Sequence, residues 1–222
     1  MMPKFTEKLK NYPYTKLFAS IIILFMVTPL LEGKHNLIIA ALFLIVMLST
    51  VFALDLQRKV LKLCVGLGLI SFGLTVLNSK AGMSEYAFII YLLSFLSYIA
   101  FFSICISIFL KKIFYADTVS LDSIRGGLSV YFLMGIFWAF VYQLVLLFDP
   151  GAISFVNPDY TTGDVIYFSF TTLTTLGYGD NLPLSRYAQN LTILESTLGQ
   201  LFLAVLVARL VGMHLVMKQI SK

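Results

Sequence analysis

Charged residues are scarce in this chain of 222 residues, because Lys, Arg, Asp and Glu together make up only 12% of it. A typical soluble domain has about 25% charged and 45–50% apolar residues. Here 59% of the residues are hydrophobic, and the mean hydropathy is +0.91. The composition therefore excludes an ordinary soluble protein and predicts an integral membrane protein.

Cysteine and histidine are also rare, with two of each in the chain. Cys64 and Cys105 both fall within apolar runs, where cysteine usually acts as a small hydrophobic residue. The sequence contains no cluster with metal-ligand spacing, no set of residues typical of nucleophilic catalysis and no phosphate-binding loop. We therefore expect neither enzyme activity nor a cofactor.

Long apolar runs dominate the rest of the sequence. A helix that spans a bilayer needs about 20 mostly apolar residues, and six runs approach this size. Two of the six are short for a full span, but local thinning of the bilayer can compensate for this. The sequence predicts an all-α membrane protein with six transmembrane helices, at 17–31, 36–54, 60–77, 86–110, 128–148 and 187–217, and a shorter seventh segment at 162–174.

The distribution of basic residues predicts the orientation, because cytoplasmic loops carry an excess of Lys and Arg. With six spans and a cytoplasmic N-terminus, 13 of the 16 basic residues lie inside, and only Lys34, Lys80 and Arg186 lie outside. Both termini are therefore predicted to be cytoplasmic. The basic residues then serve as anchors near anionic lipid headgroups, and we expect a lipid bilayer and not a nucleic acid as partner.

One short polar motif interrupts the apolar pattern. Residues 171–180 read TTLTTLGYGD. Residues 175–179 resemble the selectivity filter of the tetrameric potassium channels, with Leu176 in place of the commoner valine. Gly-Tyr-Gly alone is also typical of an ordinary turn, but the preceding threonines, the following Asp180 and the flanking spanning helices favour a filter.

The physical demands on a filter explain these residue types. Backbone carbonyl oxygens must replace the hydration shell of a potassium ion. Presenting successive carbonyls to one axis requires left-handed backbone conformations, which Gly177 and Gly179 adopt at little cost. The Thr175 hydroxyl adds an innermost ligand, Leu176 packs against apolar groups, and Tyr178 packs outward. The predicted K⁺ sites are therefore at Thr175, Leu176, Gly177 and Tyr178.

The resemblance extends over about 128–217 and implies a pore module in this part of the chain. It assigns 128–148 to an outer helix that ends at Asp149, 162–174 to a re-entrant pore helix capped at Thr161 or Thr162, and the last run to an inner helix. The pore-helix C-terminus would place partial negative charge near the ion path. Asp180 and Thr174 are predicted to support the filter. Because each chain has one filter, the resemblance implies a homotetramer.

The inner helix contains candidate gating and cavity residues. Gly199 lies 20 residues after Gly179, where many channels of this family have a hinge glycine. A glycine in a membrane helix is as often a close-packing position, and both interpretations stay open. Gln200 is at a position that faces the water-filled cavity in related channels. An apolar ring farther along could gate by dewetting, although the same residues also suit simple packing: Leu203, Val207 and Val211.

Glu195 is the one acidic residue within a predicted spanning helix. An ionisable residue in this position is a functional candidate by default. It precedes Gly199 by one turn, so we predict that it supports the filter by contacting the pore helix. A purely structural, hydrogen-bonded glutamate is an equally good interpretation. The expected hydrogen-bond donors are Thr171, Thr172 and Thr174.

The N-terminal half, 1–127, is predicted to be a four-helix transmembrane domain followed by an interfacial linker helix at 111–127. Its fourth run, 86–110, contains no Lys or Arg, whereas a voltage sensor needs a row of such charges. A stripe of tyrosines and serines in this run instead favours contacts between helices. The pore domain is predicted to cover 128–222.

Together these features predict a six-span, homotetrameric, potassium-selective channel of the cell membrane that conducts K⁺ passively. It is not expected to gate through a conventional voltage sensor. Two alternatives are a less selective cation channel and a non-conducting or transport-associated subunit. Intact Gly177, Tyr178 and Gly179 disfavour the first, and a single intact filter disfavours the second.

Overall fold

The computed structural model describes residues 13–31, 36–81, 86–115 and 121–220. Within these ranges the chain forms seven α-helices and a short antiparallel ladder of two strands, β1 (Ile153–Ser154) and β2 (Leu182–Pro183). The helices are α1 (Pro13–Leu31), α2 (Asn36–Leu54), α3 (Arg58–Ala81), α4 (Ala87–Tyr115), α5 (Leu121–Phe148), α6 (Thr162–Leu173) and α7 (Arg186–Ile220).

Five of these helices are long and apolar enough to cross a membrane, namely α2, α3, α4, α5 and α7. Helix α1 contributes a shorter apolar stretch, Pro13–Thr28. The protein is therefore an all-α membrane protein with several membrane-capable helices. That α1 forms a sixth span remains a prediction.

The described residues of 111–127 do not form a separate linker helix, so the prediction of one was wrong. Residues 111–115 are the last turn of α4, and 121–127 are the first turns of α5, while 116–120 lie outside the described residues. Two of the charges that suggested a linker are bonded within the bundle: Lys112 Nζ donates to Leu54 O, and Asp122 Oδ1 accepts from the N–H and hydroxyl of Thr15 at 3.1 and 3.0 Å. The predicted domain boundary at 127 thus falls inside α5.

Helix α5 lies at the centre of the packing and uses glycines for close contacts. A Cβ added at Gly127 would lie 2.9 Å from the Leu206 side chain on α7. One added at Gly135 would lie 2.4 Å from the Phe170 ring on α6. Small residues let membrane helices approach closely, so α5 holds both α6 and α7 at short range.

Helix α1 packs directly against the C-terminal half. The Phe25 ring lies 5.5 Å from Phe132 on α5 and 4.7 Å from Phe170 on α6, both measured between ring centroids. The two arrangements are edge-on, a favourable geometry for aromatic pairs. One buried core is therefore continuous between the N-terminal helices and the predicted pore module.

The polar stripe predicted on the fourth helix is only partly used between helices. Tyr98 Oη lies 3.2 Å from Thr75 Oγ1 on α3, whereas the Ser94 hydroxyl donates to Ile90 O of its own helix. The basic residues of α4, Lys111 and Lys112, both lie near its C-terminal end. The membrane-capable body of α4 carries no row of charges.

Candidate functional site

Helix α6 begins at a well-formed N-terminal cap. The Thr161 hydroxyl accepts from the Asp164 N–H at 3.4 Å, and Asp164 Oδ2 accepts from the Thr161 N–H at 2.7 Å. This reciprocal pair is a capping box. Of the two predicted caps, the structure selects Thr161, and the acidic residue in the first turn also opposes the positive end of the helix dipole.

The C-terminus of α6 turns directly into the motif. The N–H of Thr175 donates to Thr172 O, and the N–H of Leu176 donates to Thr171 O, both at 2.9 Å. This is the Schellman pattern, which places a left-handed residue just after the helix. That residue is Thr175, with φ of +57°. Glycine usually occupies such a position, and a side chain there costs roughly 1–2 kcal/mol.

Two further left-handed residues follow. Gly177 and Gly179 have φ values of +51° and +80°, as expected for a loop that alternates its backbone conformation. A Cβ added at either glycine would meet no atom within 4 Å. The need for glycine at these positions is therefore conformational and not a matter of space.

In the loop at 175–179 three N–H groups are hydrogen-bonded, whereas the carbonyl oxygens are not. The N–H groups of Thr175, Leu176 and Gly177 all bond to carbonyls in the last turn of α6. In contrast, no donor among the described residues bonds to the carbonyl oxygens of 175–179. Backbone acceptors normally find a partner. An exposed loop with a row of open carbonyls is suited to binding a cation.

The outer end of the loop is fixed by Asp180. The Tyr167 hydroxyl, on α6, donates to Asp180 Oδ2 at 2.8 Å, and the Asn181 N–H donates to Oδ1 at 3.0 Å. The hydrogen bond to the Asp180 carboxylate raises the pKa of Tyr167 above its ordinary value. Asp180 therefore connects the end of the loop to α6 through the Tyr167 hydroxyl, and its role in supporting a filter remains a prediction.

The segment that leaves the loop is anchored to the segment that follows α5. Strand β2 pairs with β1, with Ile153 opposite Pro183. The Leu184 N–H donates to Ala152 O at 2.8 Å, and the Val156 N–H donates to Asn181 Oδ1 at 3.1 Å. Sequence analysis missed this ladder because each strand has only two residues, too few to show any alternation.

The inner end of the loop meets α7. Gln200 Nε2 donates to Thr175 Oγ1 at 3.2 Å, so Gln200 contacts the first residue of the loop. The Thr174 hydroxyl donates to Phe170 O of α6 at 2.6 Å. Thr174 thus stabilises the last turn of α6 through its own helix.

Gly199 lies against the end of α6. An added Cβ would lie 2.5 Å from Leu173 O and 2.8 Å from Leu173 Cδ1, and the first atom belongs to the backbone. The same carbonyl accepts a hydrogen bond from the Tyr131 hydroxyl on α5 at 3.1 Å. Of the two interpretations left open by the sequence, this geometry favours close packing at Gly199.

Glu195 contacts α6, but through other residues than predicted. Its side chain is fully buried. Tyr142 Oη lies 2.6 Å from Oε2, and Ser169 Oγ lies 2.6 Å from Oε1. The expected threonine donors were wrong: Thr171, for example, bonds to Phe168 O at 3.0 Å. The available signal for Ser169 was a single serine within the aromatic run at 167–170.

The three candidate gating residues on α7 do not share one environment. Val207 and Val211 are more than half exposed, whereas Leu203 packs partly against the core. Their spacing of four residues keeps them on neighbouring turns of the helix. The structure of one chain does not bring them together, and an apolar gate at these positions remains a prediction.

Comparison with known proteins adds one finding. Residues 126–214 match a protein-family model described as "Ion channel". The matched region extends from the first turns of α5 through the loop at 175–179 and most of α7. Together with the membrane-capable helices, it supports a multi-pass membrane protein with ion channel activity. No curated protein and no solved structure matched the chain.

Proposed function

We propose that four copies of this chain form a potassium-selective channel that conducts K⁺ passively across the cell membrane. The observation that carries the proposal is the loop at 175–179, in which the N–H groups of Thr175, Leu176 and Gly177 are bonded to α6 while the carbonyls are open. Four such loops around one axis would supply the oxygen ligands that replace the hydration shell of K⁺. The proposed K⁺ ligands come from Thr175, Leu176, Gly177 and Tyr178.

Four-fold assembly is supported by surfaces that a single chain leaves uncovered. Tyr178 is 68% exposed, although a filter tyrosine must be packed to hold the loop at a fixed width. Helix α7 also presents large apolar side chains to the outside, which neighbouring copies would cover. They are Ile193, Leu194, Leu198, Leu201 and Val205.

The proposed gating does not depend on a charged voltage sensor. The basic residues of α4 lie at its end, and Lys112 is bonded to the C-terminal carbonyl of α2. A charge held in this way at a helix terminus is poorly placed to cross the membrane field. We further propose six spans with both termini cytoplasmic, in agreement with the distribution of basic residues.

The experiment that tests the function is current recording from purified protein in planar bilayers with opposed K⁺ and Na⁺ gradients. We expect a reversal potential close to the potassium equilibrium potential. A reversal potential near zero would favour a less selective cation channel. No current from assembled tetramers would favour a non-conducting subunit.

A matched pair of variants connects the result to the loop. In Gly177→Ala the new Cβ meets no atom, but the left-handed backbone costs roughly 1–2 kcal/mol in each of four subunits. In Gly73→Ala the Cβ also meets no atom, and the residue lies within helix α3. We expect Gly177→Ala to abolish selective conduction and Gly73→Ala to preserve it. Unchanged selectivity in Gly177→Ala would contradict the filter assignment.

A further inference from the structure

Glu195 takes part in a chain of three short oxygen–oxygen contacts between α5, α6 and α7. Tyr142 Oη lies 2.6 Å from Glu195 Oε2, and Ser169 Oγ lies 2.6 Å from Glu195 Oε1. Ser169 Oγ also lies 2.8 Å from Gly135 O. Each distance is that of an O–H···O hydrogen bond, so each contact requires a proton between its two oxygens.

The number of available protons decides the state of the carboxyl. The two hydroxyls of Tyr142 and Ser169 supply one proton each, and the Gly135 carbonyl can only accept. Tyr142 serves the contact to Oε2. The single proton of Ser169 cannot serve both of its contacts. We propose that Glu195 is a protonated carboxylic acid whose own O–H donates from Oε1 to Ser169, while Ser169 donates to Gly135 O.

The burial of Glu195 independently favours the protonated acid. Glu195 is fully buried, and no Lys, Arg or His among the described residues forms an ion pair with it. The groups that face it are hydroxyls: Tyr142 and Tyr131 on α5, and Ser169 on α6. An unpaired carboxylate in such surroundings is strongly unfavourable, whereas a neutral acid is readily accommodated.

With this proton on Glu195, the hydrogen bonds run in one direction, from Glu195 on α7 through Ser169 on α6 to Gly135 on α5. Ser169 lies one turn before Leu173, the last residue of the helix that carries the filter. Loss of the proton would turn the Ser169 hydroxyl toward the carboxylate, break its bond to Gly135 and place a negative charge behind α6. Glu195 is therefore a positioning residue that fixes α6 in its neutral form, and its effect on conduction rests on the proposed channel function.

Infrared spectroscopy tests the protonation state directly. The chain contains four glutamates, so ¹³C-labelling of glutamate separates their carboxyl bands from those of the aspartates. At neutral pH we expect the C=O band of a protonated glutamic acid, absent in Glu195→Gln and shifted in Tyr142→Phe. A parent spectrum with carboxylate bands alone, or a C=O band that persists in Glu195→Gln, would overturn the proposal.

Two substitutions test the positioning role. Glutamine reproduces all three bonds, because its carbonyl accepts from Tyr142 and its amide donates to Ser169. We expect Glu195→Gln to keep the thermal midpoint of the tetramer and its open-state lifetime within about twofold of the parent, since it retains every hydrogen bond. Glu195→Ala should lower the midpoint and shorten the open state severalfold. Equal behaviour of Gln and Ala would contradict the positioning role.

The two tests separate this inference from the proposed function. The infrared band does not depend on conduction, so a band without potassium current would contradict only the channel. Potassium current without the band would contradict only the protonated Glu195.

Discussion

Gly199→Ala is the substitution for which the structure gives the most definite expectation. The new Cβ would lie 2.5 Å from Leu173 O and 2.8 Å from Leu173 Cδ1. The leucine side chain can move, but the carbonyl belongs to the last turn of α6 and can shift only with the backbone. Relief of the overlap therefore requires a displacement of the helix end from which the filter loop starts.

The expected cost is the sum of two unfavourable contributions and one favourable contribution. Overpacking a tight contact costs typically 1–3 kcal/mol, and displacing Leu173 O also weakens its hydrogen bond from Tyr131, worth about 1 kcal/mol. Alanine in place of glycine within a helix returns about 1 kcal/mol. We expect a net destabilisation of about 1–3 kcal/mol per subunit, together with reduced K⁺ current, because Thr174 and Thr175 follow the displaced carbonyl.

The matched control is Gly212→Ala on the same helix, where an added Cβ meets no atom within 4 Å. This control gains the helix propensity without the overlap, so it should be neutral or slightly stabilising. Thermal dissociation of detergent-solubilised tetramers and bilayer recording provide the two measurements. If Gly199→Ala is as stable as Gly212→Ala and changes only the open probability, Gly199 is a hinge and our packing argument is wrong.

Three other predictions concern the proposed filter and the response to voltage. Tyr167→Phe removes the bond to Asp180 and should speed filter inactivation, whereas Tyr160→Phe, on the stacked Phe155–Tyr160 pair, should not. Because the pKa of Tyr167 is raised, this bond is present at neutral pH and should be lost only as the pH rises through the raised value, so an inactivation rate that differs between parent and Tyr167→Phe at neutral pH should converge in alkaline solution. Open probability should vary only shallowly with voltage. Each charge moved through the field contributes roughly 2.3 kcal/mol per 100 mV, and the body of α4 has no such charge. Steep activation accompanied by gating current would refute this prediction.

The sequence predicts a structural feature well when the cause of that feature lies in neighbouring residues. The bounds of α2 match the predicted run 36–54, because an uninterrupted apolar stretch is a local signal. The left-handed conformations of Gly177 and Gly179 are likewise encoded by residue type. In contrast, the left-handed Thr175 results from the way α6 ends, and a threonine gives no local sign of it.

The partners of Glu195 were not predictable for a related reason. Its two bonded hydroxyls, Tyr142 and Ser169, are 53 and 26 residues away in the chain. Their meeting depends on the relative rotation of three helices, which the apolar pattern of nearly fully hydrophobic segments leaves undetermined. The prediction of a linker helix failed for a different reason. It was based on a local charge pattern alone, without the distant groups that bond Lys112 and Asp122.

Two of the contacts between the N-terminal helices and the C-terminal part of the chain lie on different helices, α6 and α7. Phe25 of α1 touches Phe170, whose ring also fills the space beside Gly135. The Arg209 guanidinium of α7 lies 6.0 Å from the centre of the Phe114 ring of α4, a distance at which a cation is attracted by an aromatic face. The first contact lies on α6, which leads into the proposed filter, so we expect displacement of α1 to affect the filter. The second contact lies in the C-terminal part of α7, so we expect displacement of α4 to affect α7. Separate responses of filter inactivation to Phe25→Ala and of open probability to Phe114→Ala would support this division, whereas identical effects of the two substitutions would show that the N-terminal helices act on the pore as one rigid unit.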